Sequence, residues 1–233
     1  MKRILALSLV IVMLLFMVSC DYFPFLQSLT DTDNDTDNDT NNDTNNDTGI
    51  DTGAKESVEL SRGTIEGRVY TSEYLGLSFK RPVTWKFATD EEIANALNVG
   101  VDMFVKDRFK EALENTPTIY DMMAVDNITG SNVNIGIENL EKSASSDITV
   151  NRYIEILKIQ LNSMTHMQVT FPNEYDTVKL GEIEFTRVIC KVRTATSSMD
   201  QIYYLNKEGK YMRFVIVTIN SGYTVEKIEA MFS

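Results

Sequence analysis

Histidine and cysteine are nearly absent from this 233-residue chain, which holds one His and two Cys. A lone histidine, His166, cannot assemble the usual metal cluster. No HExxH, CxxC, GxSxG, Ser-x-x-Lys or GxGxxG pattern occurs either, so the enzyme classes that such motifs mark are excluded. An enzyme built on this chain needs an unmarked carboxylate pair. Glu182 and Glu184 are the candidates by proximity, since residues two apart on a strand face the same way, although two glutamates at a turn are ordinarily just solvated. Positive charge is also short: the net charge of -12 gives no electrostatic case for nucleic acid.

Long apolar runs are missing except for one at the start. Met1-Lys2-Arg3 is basic, Ile4 to Val18 is apolar at every position but Ser8, and Ser19 leads into Cys20. That layout reads as a secretory signal peptide. Fifteen apolar residues in a helix span about 22 Å, short of the roughly 30 Å hydrocarbon core, which argues against an uncleaved anchor. Met17-Val18-Ser19-Cys20 resembles the lipobox of bacterial lipoproteins. The resemblance implies that the Cys20 thiol receives a diacylglyceryl group, that the preceding peptide is removed, and that membrane lipid is a partner through Cys20. Acyl chains of the palmitate kind then hold the protein at the cell membrane, outside the cytoplasm, without a transmembrane helix. Cys190 is left without a partner, so no disulfide is expected despite export.

The acidity is uneven. Residues 20–59 hold eleven acids against Lys55, whereas residues 60–233 hold 23 acids against 19 bases. Within the acidic stretch, Asn34-Asp35-Thr36, Asn38-Asp39-Thr40, Asn42-Asp43-Thr44 and Asn46-Asp47-Thr48 repeat at steps of four with nothing apolar to bury. Such a run is expected to be disordered and extended by self-repulsion. As a flexible coil of about 40 residues it has an end-to-end distance of roughly 35 to 40 Å. Each repeat is an Asn-x-Thr sequon, the mark of glycosylation in a eukaryotic secretory protein, which a bacterial lipobox argues against, and its carboxylates and amides suggest at most weak, nonspecific cation association. The glycine turn and distal glutamate of a calcium loop are not in place. The chain therefore divides into a signal peptide (1–19), a tether (20–60) and one globular domain (61–233), whose length suits a single core.

In the domain, Ile65, Gly67, Val69 and Thr71 alternate with polar residues and predict a strand, followed by a second over Leu75 to Phe79 that Pro82 ends. Trp85, the single tryptophan, reads as a core anchor. Thr89-Asp90-Glu91-Glu92 is a capping box that predicts a helix, with apolar residues at helical spacing to Leu113 and a break near Gly100. Tyr120 to Val125 and Asn132 to Leu140 predict a hairpin around Asp126 to Ser131. A helix is expected from Val150 to Met164, capped by Thr149. Strands over Val178 to Leu180, Ile183 to Thr194, Gln201 to Leu205 and Tyr211 to Ile219 suggest an antiparallel meander, and a short helix from Val225 to Phe232 closes the chain. Because Phe214-Val215-Ile216-Val217 is continuously apolar, that strand should be covered on both faces.

On the strand from Ile183, Val188, Cys190 and Val192 share one face and Arg187, Lys191 and Arg193 the other. Cys190 thus behaves as a small hydrophobe, with nothing in the spacing to pair it with His166. The basic set, joined by Lys179 and Arg213, is the candidate partner-binding face, suited to an acidic partner or anionic headgroups.

Tyr74-Leu75-Gly76-Leu77-Ser78-Phe79-Lys80-Arg81-Pro82-Val83-Thr84-Trp85 resembles the opening hairpin of PsbP-like and Mog-type domains. Thr118 to Ala124 and Gly130 to Val133 are similar to segments of uncharacterised clostridial lipoproteins. The resemblance implies an α+β fold, an α/β/α sandwich with an antiparallel sheet of about six or seven strands and helices on both faces. It also implies a binding or assembly module with no cofactor. The metal and partner sites of photosynthetic PsbP proteins find no matching residues here. The expected function is a lipid-anchored extracytoplasmic module of the bacterial cell envelope that binds a protein or cell-wall partner without catalysis. The alternative is an envelope hydrolase using acidic residues.

Overall fold

The computed structural model describes residues 59–97, 100–104, 108–143 and 145–233. The expected signal peptide, Cys20 and nearly all of the 20–60 tether lie outside them. The fold is α+β with antiparallel sheets. In chain order it comprises β1 (Thr64–Glu66), β2 (Val69–Ser72), β3 (Leu77–Lys80), β4 (Trp85–Phe87), α1 (Asp90–Leu97), a 3-10 turn (Val101–Phe104) and α2 (Phe109–Asn115). Then follow β5 (Thr118–Asp126), β6 (Asn132–Asn139), α3 (Leu140–Ser143), α4 (Val150–Ser163), β7 (Met167–Thr170), β8 (Asp176–Leu180), β9 (Ile183–Thr194), β10 (Ser198–Glu208), β11 (Tyr211–Ile219) and α5 (Val225–Glu229).

The single sheet of six or seven strands is corrected to two sheets. One has three strands in the order β1-β2-β3; the other has eight, in the order β4-β5-β6-β11-β10-β9-β7, with β8 also on β9. The expected first strand is in fact the hairpin β1–β2. Its alternation runs on across the turn, but Gly67 sits at φ 60, a left-handed conformation open to glycine, and reverses the chain so that Glu66 pairs with Val69.

Caps follow the sequence signals. The Thr89 hydroxyl accepts from the Glu92 N–H at 3.2 Å while the Glu92 carboxylate accepts from the Thr89 N–H at 3.0 Å, the reciprocal bonds of a capping box. Thr149 Oγ1 accepts from the Arg152 N–H and starts α4. Helix α4 lies on the sheet face that carries Glu138, where the Tyr153 hydroxyl donates to that carboxylate, and it buries Ile154, Leu157 and Leu161.

On the other side of the large sheet, the three-stranded sheet and the chain around it make contacts of their own. Tyr74 stacks under the Arg213 guanidinium at 4.6 Å, Asn139 Nδ2 donates to the Leu113 carbonyl, and Arg187 pairs with Glu229 of α5. Phe79 joins the two sheets through contacts with Trp85, Phe87 and Phe232. Phe214, Val215, Ile216 and Val217 are all buried, as a strand covered on both sides must be.

Both outer edges of the large sheet are short. On one side β4 pairs only three residues with β5. On the other, β7 and β8 sit end to end along β9: β7 pairs Lys191 to Thr194, β8 pairs Ile183 to Arg187, and residues 171–175 leave the sheet between them.

Candidate functional site

The structure separates the residues that the sequence singles out. Cys190 is fully buried, and burial pushes its thiol up to about 12, so it carries no thiolate near neutral pH. Glu182 and Glu184 are exposed at the β8–β9 turn, with Glu184 opposite Lys179 on β8. Among the described residues no group of three His, Cys, Asp or Glu side chains is arranged to hold a metal ion.

The basic face is not one surface. Arg187, Lys191 and Arg193 do share a side of β9. Lys179 pairs with Glu184, one residue out of phase with Arg187, and so projects from the other side. Arg187 bonds both Asp176 and Glu229, which raise its pKa. Lys191 lies 3.2 Å from Asp200. Arg213 is only 4% exposed and is spent on Glu208 and the Tyr74 ring. Arg193 is the exposed cation nearest the end of β9.

A different feature emerges from the registers. Trp85 pairs with Asp126, Asn132 with both Val125 and Thr218, Asp200 with Ile219, Ser198 with Arg193, and Met167 with Thr194. These pairs define one end of the eight-stranded sheet. The connections emerging there are residues 82–84, 127–131, 164–166, 195–197 and 220–224, and none contains Asp, Glu, Lys or Arg.

The turns at this end are bonded to one another. Asp126, 2% exposed, closes the β5–β6 turn by accepting from the Thr129 hydroxyl at 2.7 Å and from the Thr129 and Ile128 N–H groups at 3.2 and 3.4 Å. Burial raises its pKa, but hydrogen bonds from Thr129, Thr84 and those backbone groups outweigh it and leave the carboxyl below its ordinary value. The Asn127 N–H donates to the Thr84 carbonyl at 3.1 Å, and the Asn220 N–H donates to Ser131 Oγ at 3.1 Å. Gly222, at φ 78, brings the chain after β11 against Thr129, whose methyl lies 3.6 Å from where a Cβ would stand. Beneath them the Trp85 indole donates to the Tyr223 hydroxyl at 2.7 Å, with the two rings perpendicular.

On this braced end stand Val83, 79% exposed, and Ile128, 72% exposed. Other exposed large apolar side chains among the described residues reach only 44%. The Asn127–Thr84 bond holds their two turns side by side. The end therefore offers paired aliphatic tips amid hydroxyls and amides; the Asp126 carboxylate is consumed inside a turn, and that of Asp200, at the start of β10, is paired with Lys191. Sequence reasoning missed the pair. The available signal was a β-branched aliphatic residue inside each of two turn peptides, Pro82-Val83-Thr84 and Asn127-Ile128-Thr129-Gly130.

The far end of the sheet is its reverse. Lys210 lies 3.0 Å from both Glu114 and Glu141, the Tyr211 hydroxyl donates to Glu114, and Glu208 pairs with Arg213. The Lys210 ammonium, followed by the Tyr211 hydroxyl, holds the Glu114 carboxyl below its usual range.

No protein-family model and no curated protein matches the chain. Its structural neighbours include the PsbP-like fold. The solution structure of cyanobacterial PsbP (CyanoP) from Synechocystis sp. PCC 6803 is similar at a TM-score of 0.43 and 13% identity, covering 78% of this chain and 98% of that one. A crystal structure from Bacteroides thetaiotaomicron VPI-5482 is similar at 0.38 and 11% identity, covering 72% of this chain and 48% of that one. The likeness concerns the fold, and no residue role is taken from either.

Proposed function

We propose that this chain is a lipid-anchored docking module of the bacterial cell envelope that works without catalysis. Cys20 carries the lipid, the acidic stretch spaces the domain from the membrane, and the uncharged end of the large sheet makes the contact. The reading rests on the lipobox-like Met17-Val18-Ser19-Cys20 together with one structural observation, the two aliphatic side chains held out by mutually bonded turns. Two apolar side chains kept in water on a rigid support cost folding nothing to display and gain when a surface covers them. We also read the layering as a variant of the PsbP-like sandwich, with α4 as one outer layer and α2, α5 and the small sheet as the other.

Two experiments test the parts separately. Replacement Cys20→Ser should release the protein from sedimented membranes, and unaltered sedimentation removes the anchor. A photoreactive residue at position 128, with one at position 208 as control, should give adducts in intact cells at 128 alone. Equal labelling at both positions, or none at either, removes the docking end.

A further inference from the structure

The occupant of the uncharged end follows from its shape and from the charge of everything around it. The acidity lies mainly in residues 20–59, and residues 60–233 hold 23 acids against 19 bases, so an anionic envelope lipid repels the tether strongly and the charged parts of the domain only weakly. The end that carries Val83 and Ile128 is exempt, because five connections there hold no Asp, Glu, Lys or Arg. Arg193, exposed near the last residues of β9, adds a cation at its rim.

Shape separates a lipid from a protein partner. A stable protein interface buries about 800 Å² on each side around a packed apolar centre. Here two turn tips project one β-branched aliphatic side chain each, with threonine, serine and asparagine between them and no flat apolar ground. A fluid lipid layer closes around such isolated side chains, while the hydroxyls and amides stay in the wet headgroup zone.

Reach is no obstacle. The stretch of about 40 residues between Cys20 and Glu59 has a contour of at most roughly 140 Å, several times the radius of gyration of about 15 Å expected for such a domain. Tethering also raises the local concentration of the tips at the bilayer, which lets a weak contact be occupied.

We infer that Val83 and Ile128 form a membrane-docking tip that inserts reversibly into the lipid surface and turns the domain with this end of the large sheet towards the bilayer. The inference rests on the anchored-module reading for what brings the domain near a membrane, and on the tip geometry for how it lands.

The sole tryptophan supplies the probe. Trp85 lies two residues from Val83 and directly beneath both turns. The full chain, held through an N-terminal polyhistidine tag on vesicles of phosphatidylethanolamine and phosphatidylglycerol with a nickel-chelating lipid, is compared with and without bromine on the acyl chains. The wild type should lose emission in the brominated vesicles. The double variant Val83→Asp, Ile128→Asp should show at least fivefold less quenching while staying bound to the vesicles and keeping its thermal midpoint. Wild-type emission indifferent to bromine, or equal quenching in both proteins, overturns the inference. Because the tag replaces the lipid as attachment, a failed Cys20→Ser test leaves this result standing. Adducts between position 128 and a protein, with no quenching in vesicles, would sink the lipid tip and keep the docking module.

Discussion

The two ends of the eight-stranded sheet are built from the same strands yet solve opposite problems. At one end charged side chains satisfy one another: Lys210 joins Glu114 to Glu141 at the surface, and Glu208 joins the buried Arg213. At the other, polar groups turn inward to serve the backbone, as Asp126 does for its turn, and the surface is left to uncharged and aliphatic groups. Around Lys210 the first arrangement tolerates change because water can replace each carboxylate partner. In the second the turns are tied to one another by part-buried bonds, and the Trp85 indole below holds Tyr223.

The contrast breaks most visibly at Trp85. Substitution Trp85→Ala removes the support of the uncharged end and should cost about 3–5 kcal/mol, seen as a lower denaturation midpoint. Next is Asp126→Asn, which leaves turn N–H groups poorly served and should cost about 1–3 kcal/mol. Its sign with pH is fixed by the lowered pKa. The ionised carboxylate stabilises the fold above the unfolded value of about 3.9, and that contribution is lost as pH falls through the lower folded value. The variant should therefore lose less stability than the wild type on acidification in that range, as urea titrations at several pH values would show.

At the charged end Glu114→Gln should cost less than about 1 kcal/mol, and the difference should shrink in high salt. Smallest of all, Val83→Ser and Ile128→Ser should leave stability within about 0.5 kcal/mol of wild type. A large loss in either would show that the tips belong to the core and not to a contact surface.

Much of this architecture was legible in the chain. The spacing of Ile154, Leu157 and Leu161 with Thr149 before them located α4, and the Thr89–Glu92 pair located the start of α1. The alternation around Cys190 placed it in the core and Arg187, Lys191 and Arg193 opposite. What escaped depends on tertiary placement. Hydrophobic alternation does not register the reversal at Gly67, so β1 and β2 looked like one strand. Three-residue β4 and four-residue β7 are too short to carry a period, whereas the strand expected over Val178 to Leu180 is β8. The basic face dissolved because its partners, Asp176 and Glu229 for Arg187, arrive from other elements. Ile128 and Val83 carry no local mark that they stay in water, since exposure is decided by what else packs against a turn.

The borders of the large sheet have a further effect. Three paired residues along β4 and two separated pieces along β9 offer no continuous row of free N–H and C=O groups to a second molecule. Among the described residues, crowded copies of this chain find no long ribbon to extend along the borders of the large sheet.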